Sequence, residues 1–578
     1  MHGSARRLGI IVALATVILG CASSPTDEPA GSPPAGSAAP TSGAGSPKRL
    51  ITVVRGNPFA LAPAVNEAGA GSVPGIDQVE MLLNAGLAAR DAHDALQPRL
   101  AEAVPSLANG LWQINDDGTM QTTWHLKKPD LVWHNGQPFT TADLAFAIRV
   151  MQEPRAGLVG SPAYKLIDRV ETPDPQTLTL YWSAPFISAD ALFATAKISR
   201  LRIEPMPAHL LEASFDQDPS SFSQLSYWTS DFVGLGPFKL TDFVPGSHFL
   251  AAANDHYVLG RPKIDQLEVD FVADPNTIAA NLLAGTIQMT MNDRLDIDWG
   301  VQLRDKWTAG TMSPTHGVGW VALYPQFIDP SPAIIGDVRF REALLRALDR
   351  QALNESIMAG MSSVGDSLIE PGQPEYAVVE PSIVKIPYDP TGAAQILDGM
   401  GLSRGPDGMY RDTDGQPLAP ELRTRAGDDL QEKMVPAVAD FWKQVGIGST
   451  QNIFGAQVAN DRQFRSTRPA FEVVRQPDGA DALPEYLSNA TPLPQNNYVG
   501  TNRTRYQNPD LDALINRFVT TIPLDARDQV LGQAIHLLTA NVVVLGLDFI
   551  VDATMVDNRI SGVDADNPAW NAQEWDIR

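Results

Sequence analysis

Trp133-His134-Asn135-Gly136-Gln137-Pro138-Phe139-Thr140-Thr141-Ala142-Asp143-Leu144 is the stretch whose reading decides the fold. Its second half is a helix start. Thr140 and Thr141 offer a hydroxyl N-cap, Asp143 places a negative charge in the first turn, and Leu144, Ala147, Ile148 and Met151 recur at helical spacing. Upstream, Asp116-Asp117-Gly118 turns into Thr119-Met120-Gln121-Thr122-Thr123-Trp124-His125-Leu126, an alternating strand, so a hairpin is expected. Trp124 and Trp133 sit among apolar neighbours here, as Trp442 does further on, and all three read as core. His125 and His134 read as structural or surface residues rather than metal ligands.

Working outward, Ile51-Thr52-Val53-Val54 is a β-branched run that starts a sheet, and Val79, Leu82, Leu83 and Leu87 predict a helix within Gln78 to Ala89. Asp337 caps a helix carrying Phe340, Leu344 and Leu348, with Gly360 as its stop, and Asp389-Pro390 opens another through Ala393, Ala394 and Leu397. Helices and strands alternate, and no repeat of intermediate period recurs. The expected class is α/β, with more than one lobe.

The N-terminus carries its own message. Arg6 and Arg7 precede the apolar run Leu8 to Leu19, which ends in Ile18-Leu19-Gly20-Cys21, the pattern of a secretory signal over residues 1–20. That run is shorter than the roughly 20 residues a membrane span needs. Cys21 is the single cysteine of the chain, which excludes an intramolecular disulfide. It stands where a bacterial lipobox, which this stretch resembles, places the lipidated residue. Residues 21–47 are almost wholly Ala, Ser, Pro, Gly and Thr after the cysteine and read as a flexible tether.

With a formal charge of −24 over 578 residues and 44% hydrophobic residues, the chain is acidic and has ample core. Net acidity argues against nucleic-acid binding and permits cationic ligands. Catalytic signatures are missing. Gly360-Met361-Ser362-Ser363-Val364-Gly365 lacks the nucleophile-elbow spacing, and Gly69-Ala70-Gly71 with Pro74-Gly75 matches neither a phosphate cradle nor a dinucleotide fingerprint. The nine histidines offer no pair at helical spacing, so no metal and no cofactor are expected. Acidic pairs such as Asp116-Asp117 and Asp428-Asp429 sit in turn-like contexts that suit solvation better than glycosidase chemistry.

Several segments taken together resemble one family. Leu96-Gln97-Pro98-Arg99-Leu100-Ala101-Glu102-Ala103-Val104-Pro105, Thr123-Trp124-His125-Leu126-Lys127 and the opening stretch resemble the N-terminal signature of the oligopeptide/dipeptide solute-binding proteins of ABC importers, family 5. Pro207-Ala208-His209-Leu210-Leu211-Glu212, Gly234-Leu235-Gly236-Pro237-Phe238, Asn254-Asp255-His256-Tyr257, Asp337-Val338-Arg339-Phe340-Arg341-Glu342 and Tyr388-Asp389-Pro390 continue the match in register. The resemblance implies a periplasmic-binding-protein-like two-lobe α/β fold with an extra inserted domain. The first lobe would comprise residues 48–92, 225–325 and 545–578, the inserted domain 93–224, and the second lobe 326–544.

By the same resemblance the protein binds a peptide-like solute by hinge closure and performs no covalent chemistry. It would present the solute to a membrane permease and its ATPase as a monomer, and, by the lipobox resemblance, lipid on Cys21 would hold it at the cell membrane, facing the periplasm or cell exterior. The ligand's α-amine would meet Asp478 or Asp481, in Val474-Arg475-Gln476-Pro477-Asp478-Gly479-Ala480-Asp481, where the family's tryptophan and tyrosine are missing. That departure leaves another solute, such as a nickel chelate, sugar or signalling peptide, or a scaffold role, as the alternative. Gly317-Val318-Gly319-Trp320-Val321-Ala322-Leu323-Tyr324 resembles a crossover strand that brings Trp320 or Tyr324 to the cleft, with core packing as the other reading. Tyr498 is a further ligand candidate.

Overall fold

A hairpin, Trp112–Ile114 paired antiparallel with Met120–His125, feeds the helix Thr141–Gln152 as its sequence requires. At that helix start Asp143 reaches back to accept from Thr140 N–H at 2.9 Å, while its own N–H donates to the Thr140 carbonyl at 3.1 Å. In the computed structural model the described residues are 46–69, 73–159, 162–195, 204–291, 295–412, 414–459 and 461–578. The signal segment, Cys21 and the tether up to residue 45 lie outside them.

Ten strands form one mixed sheet. From one edge they run Thr450–Phe454, Glu421–Arg425, Phe471–Gln476, Gly310–Pro325, Leu545–Asp557, Met289–Thr290, Arg49–Val54, Gln266–Phe271, His248–Ala253 and Phe238–Val244. Two central strands span both halves. Gly310–Pro325 and Leu545–Asp557 pair antiparallel from Gly310 opposite Asp557 to Leu323 opposite Leu545. At one end Met289 pairs with Val556, leading to the Arg49–Val54 half; at the other, Trp320 to Pro325 pair with Gln476 to Phe471.

Between those ends the register slips, between His316 and Trp320. Two glycines permit the slip. A Cβ on Gly317 would lie 2.4 Å from Ile550 Cγ2, and Gly319, at φ +94°, would put one 2.2 Å from the Gln476 carbonyl oxygen. Any other residue at Gly319 would combine left-handed strain with a clash.

Three buried clusters flank the sheet. The first gathers Leu50, Leu82, Trp124, Trp133, Phe222 and Trp575, and the second Phe340, Leu344, Leu422, Val435, Trp442 and Leu547. The third holds Trp320, Tyr324, Ile515, Ile535 and Phe549 beneath the helices Pro509–Phe518 and Leu524–Ala540. Each such large side chain contributes about 2 kcal/mol by leaving water. A separate four-stranded sheet, Trp112–Ile114, Met120–His125, Thr177–Trp182 and Ile167–Asp174, packs into the first cluster.

Two expected helices differ. The periodicity from Phe340 to Leu348 belongs to a helix that ends at Arg346, because Asp349 starts another, Arg350–Ile357, by accepting from Ala352 N–H at 3.0 Å. The helix expected to Ala89 is Ile76–Leu83. Ala88–Arg90 is instead a strand, held by Leu96–Pro98 on one side and Ala194–Thr195 on the other.

Candidate functional site

A cavity of about 610 Å³ opens beside the register slip of the long strands, with His316 and Gly317 in its lining. One wall carries Arg90 to Asp94 with Ile187, Ser188, Asp190 and Ala191; Ala191 and its neighbour Ala189 are anchored in the first buried cluster, while Ile187 touches both the first and the third. The facing wall carries Glu370 to Glu375, Asp478 to Asp481 and Phe518 with Arg527 and Asp528; its neighbours Ala482, Phe518 and Val530 are anchored in the third. Walls rooted in different cores can move apart without breaking either core.

Each wall is shaped by local hydrogen bonding. On the first, Asp91 accepts from the N–H groups of His93 and Ala95 and from Gln97 Nε2, which folds the turn between the paired strands Ala88–Arg90 and Leu96–Pro98. Burial raises its carboxyl, but those donors outweigh it and hold it below the ordinary range. Arg90 donates to Asp94 Oδ2 at 3.2 Å and to its carbonyl at 2.8 Å. Asp190, in the 3-10 turn Ala189–Ala191, is pushed up to about 6 by burial, against the pull of Arg90 and Arg527.

On the facing wall, the strand Phe471–Gln476 delivers the Asp478 loop. Gly479, at φ +78°, donates its N–H to Leu368 O at 2.7 Å, while Gln373 donates from Nε2 to Asp478 Oδ2 at 3.0 Å and accepts from Glu370 N–H at 3.2 Å. The 17-residue helix Leu524–Ala540 presents Arg527 and Asp528 just past its first turn. His316 lies between Glu370 and Asp566, 3.8 and 3.5 Å from their carboxylate oxygens.

Comparison with known proteins decides the family. Residues 102–489 match the model of the bacterial extracellular solute-binding proteins, family 5 middle region. The chain belongs to this family. Family 5 relatives include a Brucella ovis protein provisionally named an ABC transporter peptide-binding protein, 28% identical over 312 residues and 53% of each chain. The chain thus spans about half the length of the curated relatives it matches first. Two solved family 5 folds superpose on nearly the whole chain. One is NikZ of Campylobacter jejuni in complex with Ni(L-His), at TM-score 0.70 and 20% identity over 91% of this chain and 99% of that one. The other is the oligopeptide-binding protein of Thermus thermophilus complexed with a pentapeptide, at 0.67 and 22% over 92% and 96%. They share the periplasmic-binding-protein-like fold with this chain.

Within this family 5 chain the residues singled out in the sequence separate. Asp478 and Asp481 both line the cavity. Trp320 and Tyr324 do not; each is 3% exposed in the third cluster, Trp320 stacking on Phe549 with centroids 6.2 Å apart. Tyr498 is half-buried at φ +56° in the turn after Pro494–Asn496, away from the lining. His134 is buried between Gly234 and Gly236, which accounts for it structurally, and burial drives its imidazole down to about 4.

The sequence reading missed Asp190, Glu370, Glu375 and Asp528, because isolated carboxylates in loops and on helices carry no local signature. His248, Glu268 and Asp270 bring side-chain N and O atoms within 4.8 Å of one another across two antiparallel strands of the ten-stranded sheet, a proximity that cross-strand register creates and linear spacing hides. No helix among the described residues is long and apolar enough to cross a membrane.

Proposed function

We propose that the protein is the solute receptor of an ABC importer, closing over a peptide-like solute and handing it to a membrane permease driven by an ATPase. The observation that carries this reading is the cavity itself. It is large enough for a ligand of several residues, has walls rooted in separate cores, and lies beside the glycine-enabled slip of the two strands that join both halves of the sheet. Closure is a rotation of the second lobe, 326–544, against the first lobe and its inserted domain, and the ligand favours it by its higher affinity for the closed state.

Asp478 and Asp481 are the proposed contacts for the solute's α-amine. The protein carries out no covalent chemistry and acts as a monomer outside the cell membrane, exported by its signal and anchored through lipid on Cys21. One acyl chain anchors a protein only marginally, so the two of a diacylglyceryl group are what hold it.

Thermal melting of the full chain against a pool of short peptides tests the receptor reading. Ligand at a hundred times its Kd should add about 2.7 kcal/mol of stability, and an unchanged melting curve across the pool would contradict it. Cys21→Ser should move the protein from the membrane to the soluble fraction; unchanged retention would remove the anchor from the account.

A further inference from the structure

The cavity is electrically unbalanced. Nine carboxylate side chains line it against two arginines and two histidines. One of those arginines, Arg90, is engaged by Asp94. The carboxylates come from both walls and sense one another. Burial lifts Asp190 most, Arg90 and Arg527 pull it back, and Asp481 opposite it adds a smaller rise; burial likewise lifts Glu375, with Asp528, Asp481 and Asp94 adding to it.

Asp528 is the decisive member. It is 8% exposed, lines the cavity, and its Oδ1 is buried with no hydrogen-bond partner. A buried carboxylate oxygen without a donor is costly. A donor arriving in the cavity would remove that cost.

The arrangement also narrows the donor's form. Among the described residues, the His/Asp/Glu group close enough to share one metal ion is His248, Glu268 and Asp270, outside the cavity. The cavity carboxylates are spread along two walls, so a single ion cannot reach them together, and an anionic chelate would be repelled.

We infer that the cavity selects peptide-like solutes bearing at least two spaced cationic side chains, lysine or arginine, whose donors bridge Asp528 and Glu375 on one wall and Asp190 on the other. This rests on the receptor reading above and adds the substrate class to it. It also gives closure a physical trigger. Like charges facing each other across the cleft oppose closing, and a bridging polycation turns that repulsion into attraction, which is the differential affinity a closing ligand must have.

The test is calorimetry of the full chain with three matched tetrapeptides: one with two internal lysines, the same peptide acetylated on both Nζ atoms, and its diglutamate counterpart. Acetylation should weaken binding about tenfold or more per lysine, and the diglutamate peptide should bind weakest. Asp528→Asn and Glu375→Gln should each shrink the ratio between the lysine peptide and its acetylated form. Where a variant's melting curve shows that it does not fold, the acetylation series alone decides. Equal affinity for all three peptides would overturn the inference and leave the receptor reading standing. Binding of none would overturn both. A variant that weakens the lysine and acetylated peptides equally would show that its carboxylate is structural and remove that residue from the proposal.

Discussion

The strand Phe471–Gln476 joins two regions that treat charge in opposite ways. At its start, Glu472 is 3% exposed and surrounded by arginines, with Arg423, Arg468 and Arg503 at 3.4, 3.9 and 3.2 Å. Burial pushes its carboxyl up, but Arg503, Arg468 and Arg423 outweigh it and hold it below its ordinary value. The arginines spend further donors on backbone carbonyls: Arg468 reaches Tyr324, Pro325 and Arg503, and Arg423 reaches Phe464 and Arg465. Just past the end of the strand, Asp478 and Asp481 enter the cavity, where carboxylates outnumber cations and Asp528 keeps an oxygen without a donor. Both Glu472 oxygens face arginines, whereas in the cavity carboxylates outnumber cations and leave room for a cationic ligand.

The comparison breaks most visibly at Glu472. Glu472→Gln keeps the shape and removes the charge that the arginines surround, so chemical denaturation should show a loss of about 3–5 kcal/mol. A loss below about 1 kcal/mol would mean that the cluster is solvated and not a matched interior network.

Asp548 sharpens the same contrast from the other side. It is fully buried in the long strand Leu545–Asp557, and neither carboxylate oxygen has a hydrogen-bond partner. Burial pushes it up to about 8, against the pull of Arg350. A carboxyl raised in the folded state contributes its stability below the unfolded value near 4, and that stability is lost as pH climbs toward the folded value. Asp548→Asn should therefore stabilise the protein by a few kcal/mol at pH 7.5 and much less at pH 5, the gain growing by roughly 1.4 kcal/mol per pH unit. Urea melts at both pH values check it; a gain independent of pH would contradict the assignment.

Smaller effects belong to the cavity rim. Asp478→Ala and Asp481→Ala should weaken peptides with a free α-amine by about 1.5–3 kcal/mol, the worth of a charged hydrogen bond, and N-acetylated peptides by less. Equal loss for both forms, read by calorimetry, would remove these residues from amine recognition. Smallest of all is salt. Between about 0.05 and 0.5 M, affinity for a basic peptide should fall several-fold while the urea midpoint hardly moves, because charges open to solvent are screened and the buried Glu472 network is not.

Much of the scaffold was legible in the sequence. Thr140 and Asp143 cap where their spacing said, Asp389 caps the helix Pro390–Gly399, and the hairpin after Asp117-Gly118 forms. Local hydrogen-bonding rules act within a few residues, so local sequence reports them. The helix break at Ala347 is hidden because apolar spacing continues across it to Leu348, and the Asp349 cap restarts the chain one residue later.

The site was legible only in part. Asp478 and Asp481 were found through a resemblance and do line the cavity, whereas Trp320 and Tyr324 lie on the right strand with their side chains in a core. Which face of a twisted strand a residue occupies depends on the slip at Gly317 to Gly319, and that slip is set by contacts with Gln476 and Ile550, distant in sequence. The facing carboxylates Asp190, Glu375 and Asp528 come from three separate segments, so no window of sequence holds them together.

Native mass spectrometry of the full chain, purified from rich medium without a refolding step, tests the central claim most directly. The account predicts a bound species released on activation that sequences as short peptides enriched in lysine and arginine. A ligand-free spectrum, together with no thermal shift across a peptide pool, would contradict it.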